Sequence, residues 1–200
     1  FGVLAAVKHN TIIDRVLMVI SISGAAIPNF FLGIMLILFF AVRLGWLPSG
    51  GFTPITEDPV AHFKSMALPA FALGFSSAGL LARLVRSSML EVMREDYIRT
   101  AMAKGLPERV VVMRHALRNA LIPAITVVGF SLGGLLGGAV VTETVFTIPG
   151  MGRLVVQSVQ RRDYPVIQGA VMLIATFYVL ANLLVDVLYV YVDPRIRYGN

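Results

Sequence analysis

The sequence predicts an all-α, polytopic membrane protein, a bundle of transmembrane helices. Three observations carry that expectation. Hydrophobic residues make up 57% of the chain and charged ones 14%, with a mean hydropathy of +0.81. An ordinary globular domain is roughly 45–50% apolar. Four runs, Val16–Val42, Ser65–Ala82, Ala120–Thr142 and Tyr164–Val185, hold no Asp, Glu, Lys or Arg, and about 20 apolar residues suffice to cross the hydrocarbon core. Between the second and third runs Arg99, Lys104, Arg109, Arg114 and Arg118 follow in quick succession. A cation in hydrocarbon costs several kcal/mol, roughly 2.5–3.5 on insertion scales, so that stretch must face water.

The elements follow in order. Phe1–Val7 is apolar but too short to cross before Lys8; it reads as the tail of an earlier helix, with N-terminal helices missing. The first span, at about 16–42, carries Gly24, Pro28 and Asn29 in its middle, and a central proline frees a carbonyl and kinks its helix. Trp46–Pro54 supplies an aromatic anchor and a Gly/Pro-rich turn at the membrane interface. Glu57–Lys64 reads as a short interfacial segment leading to the second span, at about 65–85, with Pro69 near its start.

Ser88, with Glu91 three residues on, fits a capping box. From there Leu90, Met93, Tyr97 and Ala101 recur at helical spacing, which predicts an amphipathic helix. Gly105 ends it as a C-terminal glycine would. Pro107 then prepares a second helix, Glu108–Ala120, whose Arg109, Arg114 and Arg118 face water. Residues 86–119 thus form a helix–Gly–helix elbow against the inner membrane face. Its small residues and flanking charges suit a docking surface.

In the third span, at about 120–142, Gly129, Gly133 and Gly137 repeat every four residues. Such stripes let helices approach closely in lipid, so this one predicts a tight contact within the bundle or with a partner subunit. Glu143–Pro165 follows on the opposite side, with an amphipathic piece near Gly152–Val159. In the last span, at about 164–190, the polar residues Asn182, Asp186 and Tyr189 fall on one face. An intramembrane carboxylate invites a functional reading; Asp186 either pairs structurally near the arginines of the tail or serves transport.

Orientation comes from the cations. Lys8, Arg15, Arg83, Arg86, Arg94, Arg99, Lys104, Arg109, Arg114, Arg118, Arg195 and Arg197 fall on one side, twelve of the 17 Lys and Arg residues. Arg43, Lys64, Arg153, Arg161 and Arg162 fall on the other. Cations concentrate on the cytoplasmic side, so 86–119 and the C-terminus are expected there. The net charge of +6 then reflects topology, and no nucleic-acid partner is expected. The chain has no cysteine, which excludes disulfides, thiolate metal sites and a Cys nucleophile. His9, His62 and His115 are too isolated in sequence to suggest a metal site, and no G-x-x-x-x-G-K-[ST] phosphate loop occurs. No catalytic, cofactor-binding or metal-binding residue is therefore expected, and the chain reads as a transport protein and not an enzyme.

Several segments together, Asp96–Gly105 (DYIRTAMAKG), Arg114–Pro123 (RHALRNALIP), Glu143–Gly152 (ETVFTIPGMG), Arg161–Pro165 (RRDYP) and Asp193–Tyr198 (DPRIRY), match a known family. The chain resembles, over essentially its whole length, the permease subunit of binding-protein-dependent ABC importers, in the dipeptide, oligopeptide and nickel group. The family's signature, EAA-x3-G-x9-I-x-LP, corresponds here to Arg99-Thr100-Ala101, Gly105 and Leu121-Ile122-Pro123. Arg-Thr replaces Glu-Ala, His115 replaces Ile, and the LP element falls late.

The resemblance implies the type I ABC importer permease fold. It also implies partners: a second permease subunit, two ATPase subunits, an extracytoplasmic solute-binding protein and membrane lipid. Asp96–Gly105 would be the helix seated in a groove of the ATPase. Tyr97 and Ala101 would touch the ATPase, Arg99 and Lys104 would pair with its acidic groups, Asp96 and Thr100 lie on the same helix, and Gly105 would supply the turn. ATP would be used by the partner subunit, in a plasma (inner) membrane. The substrate would be a di- or oligopeptide, nickel or glutathione. An ion-coupled secondary transporter remains the alternative from the residues alone, with Asp186 its candidate ionisable group.

Overall fold

A computed structural model of the chain describes the backbone of residues 1–192, and side chains other than those of 130–138, 185, 186 and 188–192. The described elements are helical: α1 (Gly2–Val7), α2 (Ile12–Ala26), α3 (Asn29–Leu36), α4 (Pro59–Val92), α5 (Asp96–Ala103), α6 (Glu108–Val110), α7 (Leu117–Val145), α8 (Met151–Arg161) and α9 (Tyr164–Val192). Two π-helical turns extend this set, Ile37–Arg43 after α3 and Val111–Ala116 between α6 and α7. Pro59–Val92, Glu108–Gly129 and Tyr164–Leu184 are each long and apolar enough to cross a membrane, and Ile12–Ala26 with Asn29–Arg43 is a fourth if that broken pair counts as one span.

The sequence explains where these helices start and stop. The first apolar run breaks at the expected proline: α2 ends at Ala26, and Pro28, extended at φ −59° and ψ 135°, stands just before α3. α4 begins earlier than expected. Glu57–Lys64 is not a separate segment, because Asp58 Oδ1 accepts the N–H groups of Val60 (2.8 Å) and Ala61 (3.0 Å) and caps a helix opened by Pro59. Proline suits that position, where its missing N–H leaves no bond unmade. At 34 residues, α4 is about 50 Å long. That exceeds the roughly 30 Å needed to cross a hydrocarbon core.

The elbow also differs in detail. Ser88 caps nothing; it is buried inside α4, which runs on to Val92. The turn at Met93–Glu95 separates α4 from α5, so the expected single amphipathic helix is two. The helix opened by Pro107 is not confined to Glu108–Ala120, since α6, the π turn and α7 continue without interruption. A π turn admits one extra residue per turn and shifts the face that follows. The amphipathic piece expected near Gly152–Val159 is α8. Phe1–Val7, expected as the tail of a spanning helix, contains the short helix α1, with Gly2, Ala5 and Ala6 buried.

The chain divides into two compact units. One holds Phe1–Ala26 and Ser77–Phe130 together with the end of α9. Its core gathers Ala6, Met89, Ile98, Ala101, Val111, Val112, Ala116 and Ala120. The other holds Ile27–Ser76 and Ser131–Val187. There Phe146, 1% exposed, packs with Leu68 and Ala72 and is flanked by Leu36, Phe40 and Leu47. The Phe146 carbonyl accepts the Gly51 N–H at 2.8 Å, fastening the Trp46–Pro54 turn to the end of α7. Glu143, near the end of α7, accepts the Arg153 N–H at 2.8 Å and so ties α7 to the first turn of α8. Along α9, Val171, Met172, Phe177, Val179, Leu180 and Leu184 stand exposed. An apolar surface of that extent is stable only against lipid or another chain.

Candidate functional site

The elbow is built around α5. Eight residues make too short a helix to persist alone in water, so its placement depends on what it packs against. Ile98 (fully buried) and Ala101 (8% exposed) face inward onto Met89 of α4 and Val111, Val112 and Ala116 of the π turn. A third tie is polar: Asn119 Nδ2 donates to Tyr97 Oη at 2.7 Å, joining α5 to α7. Thr100 Oγ1 turns back to the Asp96 carbonyl at 2.9 Å. Gly105, at φ +78°, lets the chain leave α5, with its N–H bonded to the Met102 carbonyl at 2.9 Å.

Among the residues expected to dock, Asp96, Tyr97, Arg99, Thr100, Lys104 and Gly105 are exposed, while Ala101 is not. Ala101 belongs to the inner face of α5 and contributes to the chain's own core. Tyr97 is 42% exposed and tied through its hydroxyl. Arg99 and Asp96 form an i,i+3 pair at 3.6 Å with both side chains well exposed, an arrangement worth little by itself and open to exchange with another partner. Beside them lie exposed apolar side chains that the sequence reading did not single out: Met102, Leu106 and Met113. Their signal was present, since Met102 and Leu106 flank the Gly105 turn and Met113 sits among arginines where apolar residues have no reason to face water.

A second feature of the same unit was missed from the sequence. Asp14, in the first turn of α2 and ahead of the charge-free run, is 3% exposed. Arg86 of α4 grips it with both arms, Nε to Oδ1 at 2.6 Å and Nη2 to Oδ2 at 2.7 Å. The Asn10 N–H donates to the same carboxylate at 3.0 Å. His9 Nδ1 lies 3.1 Å from Arg86 Nη2 and 3.4 Å from Asp14 Oδ2. Arg86 and Asp14 are 72 residues apart, which no local spacing rule detects.

Of the glycine stripe, Gly129 is buried in α7, while the surroundings of Gly133 and Gly137 lie outside the described residues. Asn182 is half-buried in α9; the side chains of Asp186 and Tyr189, and all of Asp193–Tyr198 with Arg195 and Arg197, lie outside them too. Among the described residues no group of three His, Asp or Glu side chains is placed to hold a metal ion.

Exposed charged and apolar side chains thus stand on a packed elbow in a chain with long apolar helices. Residues 1–198 match the family described as binding-protein-dependent transport system inner membrane component. The chain belongs to that family. It is 48% identical over 198 residues to a probable peptide ABC transporter permease of Sinorhizobium fredii, covering 99% of this chain and 63% of the relative. It is 44% identical over 218 residues to a dipeptide transport system permease of Alkalihalophilus pseudofirmus (98% and 65%). It is 48% identical over 197 residues to a glutathione transport system permease of Escherichia coli (98% and 62%). The chain thus spans a little under two thirds of these relatives. As a member of this permease family with several long apolar helices, it is a multi-pass membrane protein and a transport component.

Proposed function

We propose that this chain is one permease subunit of an ATP-driven importer of short peptides, di- or oligopeptides or glutathione. In this reading it lies in the inner membrane with the elbow and C-terminus in the cytoplasm. A separate ATPase seats on α5, a second permease completes the pathway, and a solute-binding protein delivers the substrate from outside. The observation that carries the reading is the outer face of α5. Tyr97, Arg99, Thr100, Met102 and Lys104 are exposed together, on a helix whose other face is anchored by Ile98 and Ala101. Apolar contact with flanking charge is the composition that fixes both affinity and register at an interface. The cation asymmetry supports the orientation, and the names of the relatives support the substrate class.

The test is co-purification of the ATPase subunits with variants of the exposed face. Arg99→Glu with Lys104→Glu reverses two charges, and Met102→Asp places a charge within the contact. Each is expected to weaken ATPase retention by at least tenfold, about 1.4 kcal/mol, with membrane insertion unchanged because no spanning segment is touched. Retention and ATP-driven uptake at the wild-type level in both variants would remove α5 as the docking helix.

A further inference from the structure

The Asp14–Arg86 pair takes no part in the docking face, yet its carboxylate is buried, and the contact is bidentate and joins two helices far apart in sequence. A second contact lies beside it. Gly79 of α4 sits against the Ser21 carbonyl and the Ala25 N–H of α2, so closely that a methyl group there would collide with the Ser21 oxygen. Asp14 and Ser21 are seven residues apart, as are Gly79 and Arg86, in opposite chain directions. The two helices are therefore antiparallel and fastened at two points about 10 Å apart along each axis. One point would leave α2 free to pivot on α4; two prevent it. Arg86 is also one turn from Met89, which touches the inner face of α5.

We infer that Asp14 and Arg86, together with the Gly79–Ser21 contact, are a relay that makes α2 move with α4 and α5 as one body. Displacement of α5 by the ATPase then reaches the first apolar run directly. This rests on the docking reading of α5. The pair acts as a positioning element for transport: its contribution is to carry motion, and neither residue meets the ATPase. Hydrogen bonds in a fixed fork geometry suit that role, because an arginine held at both arms resists rotation as well as separation.

The experiment uses the assembled transporter in reconstituted vesicles, with Arg86→Gln, Asp14→Asn and the reversed pair Asp14→Arg/Arg86→Asp. Three quantities are read: ATPase subunits retained, ATP hydrolysed, and substrate taken up per ATP. The single variants are expected to retain the ATPase subunits and hydrolyse ATP, while uptake per ATP falls about tenfold, within the usual range of coupling between sites. The reversed pair, which restores opposite charges, recovers most of that ratio. Gly79→Leu, which breaks the other fastening, lowers the same ratio. Wild-type uptake per ATP in Arg86→Gln overturns the relay, as does a reversed pair no better than the single variants. Loss of the ATPase subunits from the single variants also overturns it, by making the pair a support of the elbow. A wild-type assembly that holds no ATPase refutes the docking reading itself, a separate result.

Discussion

Ile98→Ala isolates what holds the elbow together. Ile98 is fully buried against Met89, Val111, Val112 and Ala116, and α5 has only eight residues, held besides by Ala101 and the Tyr97–Asn119 bond. Truncation removes three carbons from a packed site and leaves a cavity, at a cost of roughly 2–5 kcal/mol. Spread over the local equilibrium between docked and detached α5, that raises the detached fraction by about 30-fold to several thousand-fold. The spanning helices keep their packing, so the chain inserts normally. Hydrogen exchange of the α5 amides reads the change directly, and trypsin cleavage after Arg99 or Lys104 reads it independently. Thr100→Ala is the control: Thr100 is exposed and its hydroxyl bonds only the Asp96 carbonyl, so exchange there changes little. Unaltered exchange of α5 in Ile98→Ala would refute the view that this side chain anchors the helix.

Two further outcomes are expected. With no native cysteine, single cysteines at Ser49 and Gln160, both exposed, should react with an impermeant thiol reagent outside intact cells, while Thr100→Cys should not; labelling of Thr100→Cys from outside reverses the orientation. Gly105→Val forces a β-branched residue to φ +78°, a conformation such residues avoid. Nothing lies near enough to clash, so the effect is backbone strain alone. Circular dichroism and thermal stability of the whole protein should barely change while ATPase retention falls, and equal retention would show that the turn tolerates other geometries.

The fold was legible wherever one strong local rule acted. Charge-free runs fell within long helices, Pro28 marked the break between α2 and α3, and Gly105 marked the positive-φ turn. Boundaries failed where a local device competed with hydropathy. Asp58 and Pro59 start α4 before the apolar run because capping satisfies the free N–H groups of the first turn. α4 also passes Ser88, because a serine fits a helix interior when packing favours continuation over a new cap.

The proposed docking face was half legible, for a reason of phase. Leu90, Met93, Tyr97 and Ala101 share a face only if one helix runs through them. The turn at Met93–Glu95 breaks that helix, and beyond it the inner face is set by Ile98 and Ala101, three residues apart. Tyr97 therefore turns to the rim, where Asn119 holds its hydroxyl, and Ala101 turns inward. Asp14 illustrates a different limit. A carboxylate in the first turn of a helix already has a sufficient local reason to be there, since it favours the helix dipole. Only the three-dimensional pairing with Arg86 distinguishes that ordinary role from a buried clasp. The same logic applies to Gly79: a lone glycine in an apolar helix signals nothing by itself, and it acquires meaning because its missing side chain lets α2 approach two turns from Arg86. What the sequence could not supply was coincidence in space, and both fastenings of α2 consist of nothing else.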